Sequence, residues 1–102
     1  DYRFVRTDIR DENEVRKLFY ECRPDIVINT SALSVPDYCE THHAEAEATN
    51  VTAVETIAHV CEQYGSRFIH LSTDFVFDGK STRLYKEEDE AIPVNYYCVT
   101  IL

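Results

Sequence analysis

The run Asp25-Ile26-Val27-Ile28-Asn29 constrains this chain more than any other segment. Three consecutive branched apolar residues show no polar alternation. Such a strand is expected to be buried on both faces, as strands of parallel sheets are. A parallel neighbour cannot follow through a tight turn; it needs a crossover of about a dozen residues or more, usually a helix. The sequence supplies both parts. A helical pattern runs from about Glu40 to Tyr64, with an inner stripe of Ala46, Asn50, Ala53, Val54, Ile57, Val60 and Cys61. Gly65 is placed to close it as a left-handed C-terminal residue. A second apolar run, Arg67-Phe68-Ile69-His70-Leu71, follows at once.

The flanking segments continue the alternation. Tyr2-Arg3-Phe4-Val5 is expected to form a short strand ending at Thr7-Asp8. Asp11 then reads as a helix N-cap, with Glu12 and Glu14 in the first turn, where carboxylates suit the helix dipole. Val15, Leu18, Phe19 and Cys22 recur on one helical face, and Pro24 closes that helix. Beyond the second apolar run, a polar loop leads through Lys80 and Arg83 to the acidic run Glu87-Glu88-Asp89-Glu90. Pro93-Val94-Asn95 opens a last helix, which reaches Leu102. Strands alternating with helices predict an α/β fold with a parallel sheet. With only two glycines, Gly65 and Gly79, there is no G-x-x-G-x-x-G phosphate loop.

At 102 residues the chain is expected to be one domain, residues 1–102. A formal net charge of -9 argues against nucleic acid and against an anionic membrane surface as partners. No apolar run approaches the roughly 20 residues of a membrane span, and the charged start lacks an apolar leader. The chain contains no methionine, so it reads as a stretch of a longer polypeptide. Cys22, Cys39, Cys61 and Cys98 form no C-x-x-C pair and read as reduced thiols in a cytoplasmic setting. His42 and His43 point about 100° apart on a helix, and no third ligand stands at metal spacing, so no metal is expected.

In open α/β sheets, ligands sit off the carboxyl ends of strands. Three such ends carry polar or small residues. Asp8-Ile9 follows the first: the carboxylate can accept hydrogen bonds from an adenine amine or a ribose hydroxyl, or it can simply begin a turn. Asn29-Thr30-Ser31-Ala32 follows the second, where small side chains let backbone approach a ligand or make a tight turn. Ser72-Thr73-Asp74 follows the third. Its hydroxyls can donate to a carbonyl oxygen, and Asp74 can bind sugar hydroxyls; the same residues can also stabilise a loop as hydroxyl or Asx turns. Tyr97, arriving on the last helix, can give a proton to a carbonyl polarised there. That combination points to carbonyl reduction. A free tyrosine titrates near pH 10, and a lysine four residues on would lower that value. Ile101 stands at that position instead, and Lys17, Lys80 and Lys86 lie elsewhere.

Three segments together carry a resemblance. Arg23-Pro24-Asp25-Ile26-Val27-Ile28-Asn29-Thr30-Ser31-Ala32 is similar to "RPDVVINAAA". Ser72-Thr73-Asp74-Phe75-Val76-Phe77-Asp78-Gly79 is similar to "STDYVFDG". Pro93 through Leu102 is similar to "PxNxYGxTKL". In order and spacing these match the dTDP-4-dehydrorhamnose reductases, of the extended short-chain dehydrogenase/reductase superfamily. A neighbouring branch, the regulatory β subunit of methionine adenosyltransferase, shares the motifs. The resemblance implies part of a doubly wound Rossmann-type sheet, lacking its first strand and glycine-rich loop. It implies NADPH or NADH as cofactor, a nucleotide-sugar substrate, and open strand edges that invite association between copies. By position it places Asp8 and Ile9 at the adenine end of the cofactor and Thr30, Ser31 and Ala32 along its central part. Thr73 would bind the substrate carbonyl, Asp74 would lie beside the sugar, and Tyr97 would be the general acid and a cofactor contact. Asn50 would support the site or make a buried bond to backbone. Ile101 replaces the family lysine and Cys98 the glycine after the tyrosine. This stretch is therefore expected not to be a reductase by itself; the alternatives are a non-catalytic cofactor-binding module like that β subunit, or an inactive truncated copy.

Overall fold

The computed structural model describes all 102 residues. Helix α1 spans Glu12–Cys22. Asp11 caps it, its carboxylate accepting from the N–H groups of Asn13 and Glu14. The helix ends at Arg23, which takes the left-handed conformation at φ 47° ahead of Pro24. Strand β1, Ile26–Asn29, follows. The crossover consists of α2 (Pro36–Thr41), α3 (His43–Glu47), a π-helical turn (Ala48–Thr52) and α4 (Ala53–Tyr64). Gly65 closes α4 at φ 68°. Strand β2, Arg67–His70, pairs in parallel with β1, in the register Ile26 to Arg67 through Asn29 to His70. A 3-10 turn at Asp74–Val76 and helix α5 (Tyr96–Ile101) complete the chain.

Two cores hold these elements. Val15 and Phe19 of α1 pack on Ile57, Val60 and Cys61 of α4, with Val27 and Phe68 of the sheet against them. Cys39 of α2, Ala46 of α3 and Tyr97, Cys98 and Ile101 of α5 form the second. Each core follows from helical spacing: one apolar face per helix meets another, and burial of the larger side chains contributes about 1.5–3 kcal/mol each.

The structure corrects several sequence expectations. Tyr2–Val5 forms no strand; Tyr2 and Phe4 are fully exposed. A strand is stable only when a neighbour takes its N–H and C=O groups, and no strand lies beside this segment. The sheet is buried on one face rather than two: Ile26 is 55% and Ile28 60% exposed, because no helix covers that side. Cys22 is exposed despite its place in the apolar repeat, and Val54 is half-buried. The helical stretch expected from Glu40 to Tyr64 begins earlier, at Pro36, and breaks at His42, whose φ of -130° is not helical. His42 and His43 are exposed, yet each stacks on a tyrosine, Tyr38 and Tyr96 respectively, with ring centroids 3.7 Å apart.

Candidate cofactor and substrate site

The end of β1 is organised by Asn29, which is buried. Its Oδ1 accepts from the Ser31 N–H at 3.1 Å, which turns its amide nitrogen toward His70 Nδ1 at 3.2 Å. The imidazole therefore accepts at Nδ1 and carries its proton on Nε2. This pair ties the two strand ends together and shapes the backbone of Thr30-Ser31-Ala32.

That backbone forms one wall of a cavity of about 820 Å³. Asp8 and Ile9 line the same space, so five of the sequence-selected residues meet there. Asp8 meets Arg10 in a fork, with Oδ1 3.0 Å from Nε and Oδ2 2.8 Å from Nη2, and Oδ1 also accepts the Arg10 N–H. The Arg10 hydrogen bonds hold the Asp8 carboxyl down at about 2. The two sequence readings of Asp8 are thus compatible: it builds the turn, and it remains an ionised acceptor on the cavity wall. Arg10, Leu33, Glu45 and Thr49 also line the space. Neither Arg10, two residues after Asp8, nor Thr49 carries a local sequence signal for this role.

Thr73 and Asp74 follow the end of β2 and do not line that cavity. Thr73 caps the 3-10 turn, its Oγ1 accepting from the Phe75 N–H at 3.3 Å. Thr73 is half-buried and Asp74 exposed. The turn packs against α5, the helix that carries Tyr97. Tyr97 is 9% exposed, and its hydroxyl makes no hydrogen bond within the chain. Because no buried polar side-chain atom lacks a partner, that hydroxyl reaches solvent. Ile101, one turn on, is 7% exposed in the same apolar cluster, and all three lysines are on the surface.

Asn50 links the two groups. Its Oδ1 accepts from the Leu33 N–H at 2.7 Å; its Nδ2 donates to the Leu33 carbonyl at 3.1 Å and to Thr100 Oγ1 at 2.9 Å. Thr100 in turn donates to the Tyr97 carbonyl at 2.7 Å. Asn50 lies inside the π-helical turn, a feature that recurs at functional sites because it re-aims a side chain out of the regular helical repeat.

Residues 3–102 match the family model described as RmlD substrate binding domain. Among curated proteins, a probable low-salt glycan biosynthesis reductase of Haloferax volcanii is 41% identical over 90% of this chain and 31% of its own length. Methionine adenosyltransferase 2 subunit beta of Bos taurus is 33% identical over 98% of this chain and 30% of its own length. Among solved structures, a hypothetical dTDP-4-dehydrorhamnose reductase from Sulfolobus tokodaii superposes with a TM-score of 0.86 at 35% identity, over 94% of this chain and 35% of the other. The dTDP-4-dehydrorhamnose reductase of Bacillus anthracis, solved in complex with NADP, gives 0.86 at 28% identity, over 91% and 33%. The chain spans about a third of the length of the curated relatives it matches. Its α/β architecture is of the Rossmann type shared by these structures. By its sequence match from residue 3 to residue 102, the chain belongs to the RmlD substrate binding domain family.

Proposed function

We propose that the chain forms the cofactor-facing wall and general-acid helix of a reductase that uses NADPH or NADH to reduce the 4-keto group of a nucleotide-linked deoxysugar. It would do so as a partial dinucleotide-binding domain, residues 1–102, in a reducing cytoplasmic setting where its four free cysteines stay unpaired. The observation that carries this reading is the unpartnered Tyr97 hydroxyl, on a helix packed against the Thr73-Asp74 turn and joined through Asn50 to the cavity loop.

The cavity residues fit a dinucleotide. Asp8 offers carboxylate acceptors to an adenine amine or ribose hydroxyl, and Ser31 and Ala32 are small enough for close approach of the backbone. When bound, the reduced dinucleotide supplies a hydride. The chain's own residues do the rest. Thr73 accepts from Phe75 N–H and donates only a long 3.5 Å bond to Asp74 Oδ1, which its hydroxyl would exchange for a carbonyl oxygen. Asp74, exposed beside it, takes sugar hydroxyls. Tyr97 delivers a proton to the oxygen as the alcohol forms. What Ile101 fails to supply is a positive charge to stabilise the tyrosinate left behind.

The burial of Ile101 against Tyr97 favours a second reading, a module that binds the cofactor without turnover. The Ile101→Lys variant separates the two, assayed beside the unaltered protein for NADPH oxidation with a nucleotide-linked 4-keto sugar. A rise of about 100-fold or more, the scale of general acid–base catalysis, identifies a reductase site with a lesion at residue 101. Unchanged turnover with NADPH still bound supports the binding module and removes the general-acid role of Tyr97.

A further inference from the structure

We infer that Glu40 and His43 are positioning residues for Tyr97, gripping the first turn of α5 from the α2–α3 segment. The inference rests on the reading of Tyr97 as a residue that meets the cofactor. Glu40 Oε1 accepts from the Tyr96 N–H at 2.6 Å, a contact between residues 56 apart in sequence. That N–H is one of those at a helix start with no partner inside the helix. A carboxylate there makes a charge-assisted bond and sits where the helix dipole favours negative charge. The adjacent Asn95 side chain takes the Cys98 N–H at 2.9 Å. His43 lies flat on the Tyr96 ring, with centroids 3.7 Å apart and planes 12° from parallel. Burial, reinforced by the neighbouring Glu47 carboxylate, pushes the Tyr96 phenol up, so the stacked ring stays neutral.

Residue 96 is therefore held at both its backbone and its ring, and Tyr97 is the next residue. A helix of six residues is too short to fix its own direction in water. Its buried side is set by Cys39 and Ala46, which pack on Tyr97, Cys98 and Ile101. The exposed side is set by Glu40 and His43, both of which are themselves exposed. Neither contributes to the apolar core, so their contacts fix the rotation and tilt of α5 rather than its burial. The sequence gives no local sign of this, because Glu40 reads as one more surface carboxylate.

The test is a double-mutant cycle on NADPH affinity, read by cofactor fluorescence in the unaltered chain, Glu40→Ala, Glu40→Gln, Tyr97→Phe and Glu40→Ala/Tyr97→Phe. Glu40→Ala is expected to weaken NADPH about tenfold, the scale of one hydrogen bond to the cofactor. Glu40→Gln keeps an acceptor oxygen and is expected to restore most of the affinity. The double variant is expected to bind no more weakly than Tyr97→Phe alone, because a positioning residue acts only through the group it positions. In parallel, amide exchange at Tyr96 is expected to quicken in Glu40→Ala while the α1–α4 core keeps its protection. Additive losses, an unchanged affinity in Glu40→Ala, or a general loss of protection would each overturn the positioning role. Absence of NADPH binding in the unaltered chain would overturn the cofactor reading and this inference with it.

Discussion

At the scale of single residues, the site depends on polar groups whose partners decide their role. Asp8 is ionised far below its ordinary value of 3.8 because Arg10 grips both of its oxygens. A carboxyl lowered in the folded state contributes stability above its unfolded value and loses it as the pH falls toward the folded value. The Asp8 contribution is therefore full above about pH 4 and fades toward pH 2. Carbon-detected titration should give a midpoint near 2 for Asp8, and Arg10→Ala should move it up toward 3.8. Asn50 is the more sensitive position, since it is 3% exposed and every bond it makes is internal. Asn50→Ala strands the Leu33 N–H and leaves the Leu33 carbonyl only its weak Cys39 Sγ contact at 3.5 Å, and urea unfolding should show a loss of about 1–3 kcal/mol. The sequence marked Asn50 as a polar residue in an apolar stripe. It could not name Leu33 and Thr100, which lie 17 and 50 residues away.

Elements were legible where their signals are local. Asp11 as a cap, Gly65 as a left-handed terminator and Asn95 at the start of α5 depend on a few neighbouring residues, and all three stand as read. Asp11→Ala should cost about 1 kcal/mol in thermal or urea unfolding, the ordinary value of a lost N-cap. Gly65→Ala meets no atom within 4 Å, so only the strain of φ 68° remains, about 1–2 kcal/mol. Elements were illegible where a distant partner decides. Tyr2–Val5 has strand composition but no neighbour to pair with. The interruption at His42 and the π-helical turn break a helical repeat that runs without a gap in the sequence. The loop after the 3-10 turn shows the same limit. The acidic run there shows no local sign of a partner, yet Asp89 meets Arg83 in a two-bond fork at 2.7 Å and accepts the Lys86 N–H. Arg83 holds the Asp89 carboxyl at about 2, and Arg83→Ala should raise it toward 3.8 and loosen residues 83–89 in amide exchange.

The whole molecule carries a half-covered sheet. Two parallel strands present one face to the α1–α4 core, while Ile26, Ile28 and Ile69 stay exposed on the other. The radius of gyration, 15.6 Å, exceeds the roughly 13 Å of a compact chain of this size. Contiguous exposed apolar surface and free strand edges promote association. Sedimentation should therefore show concentration-dependent association, which Ile28→Lys should reduce. At this scale the sequence disclosed the α/β order and the parallel pairing, because a strand, a crossover and a second strand suffice to specify them. It misjudged burial of the sheet's second face, since an apolar strand shows what it can bury and not what is present to cover it. No helix of the chain is long and apolar enough to cross a membrane. The space lined by Asp8, Ile9, Thr30, Ser31 and Ala32 is proposed to hold a dinucleotide. Fluorescence titration of the chain with NADPH and NADH, beside an Ala32→Asp variant that puts a carboxylate into that wall, tests it most directly. Saturable binding that Ala32→Asp weakens is the expected result; no saturable binding, or binding indifferent to that substitution, would contradict it.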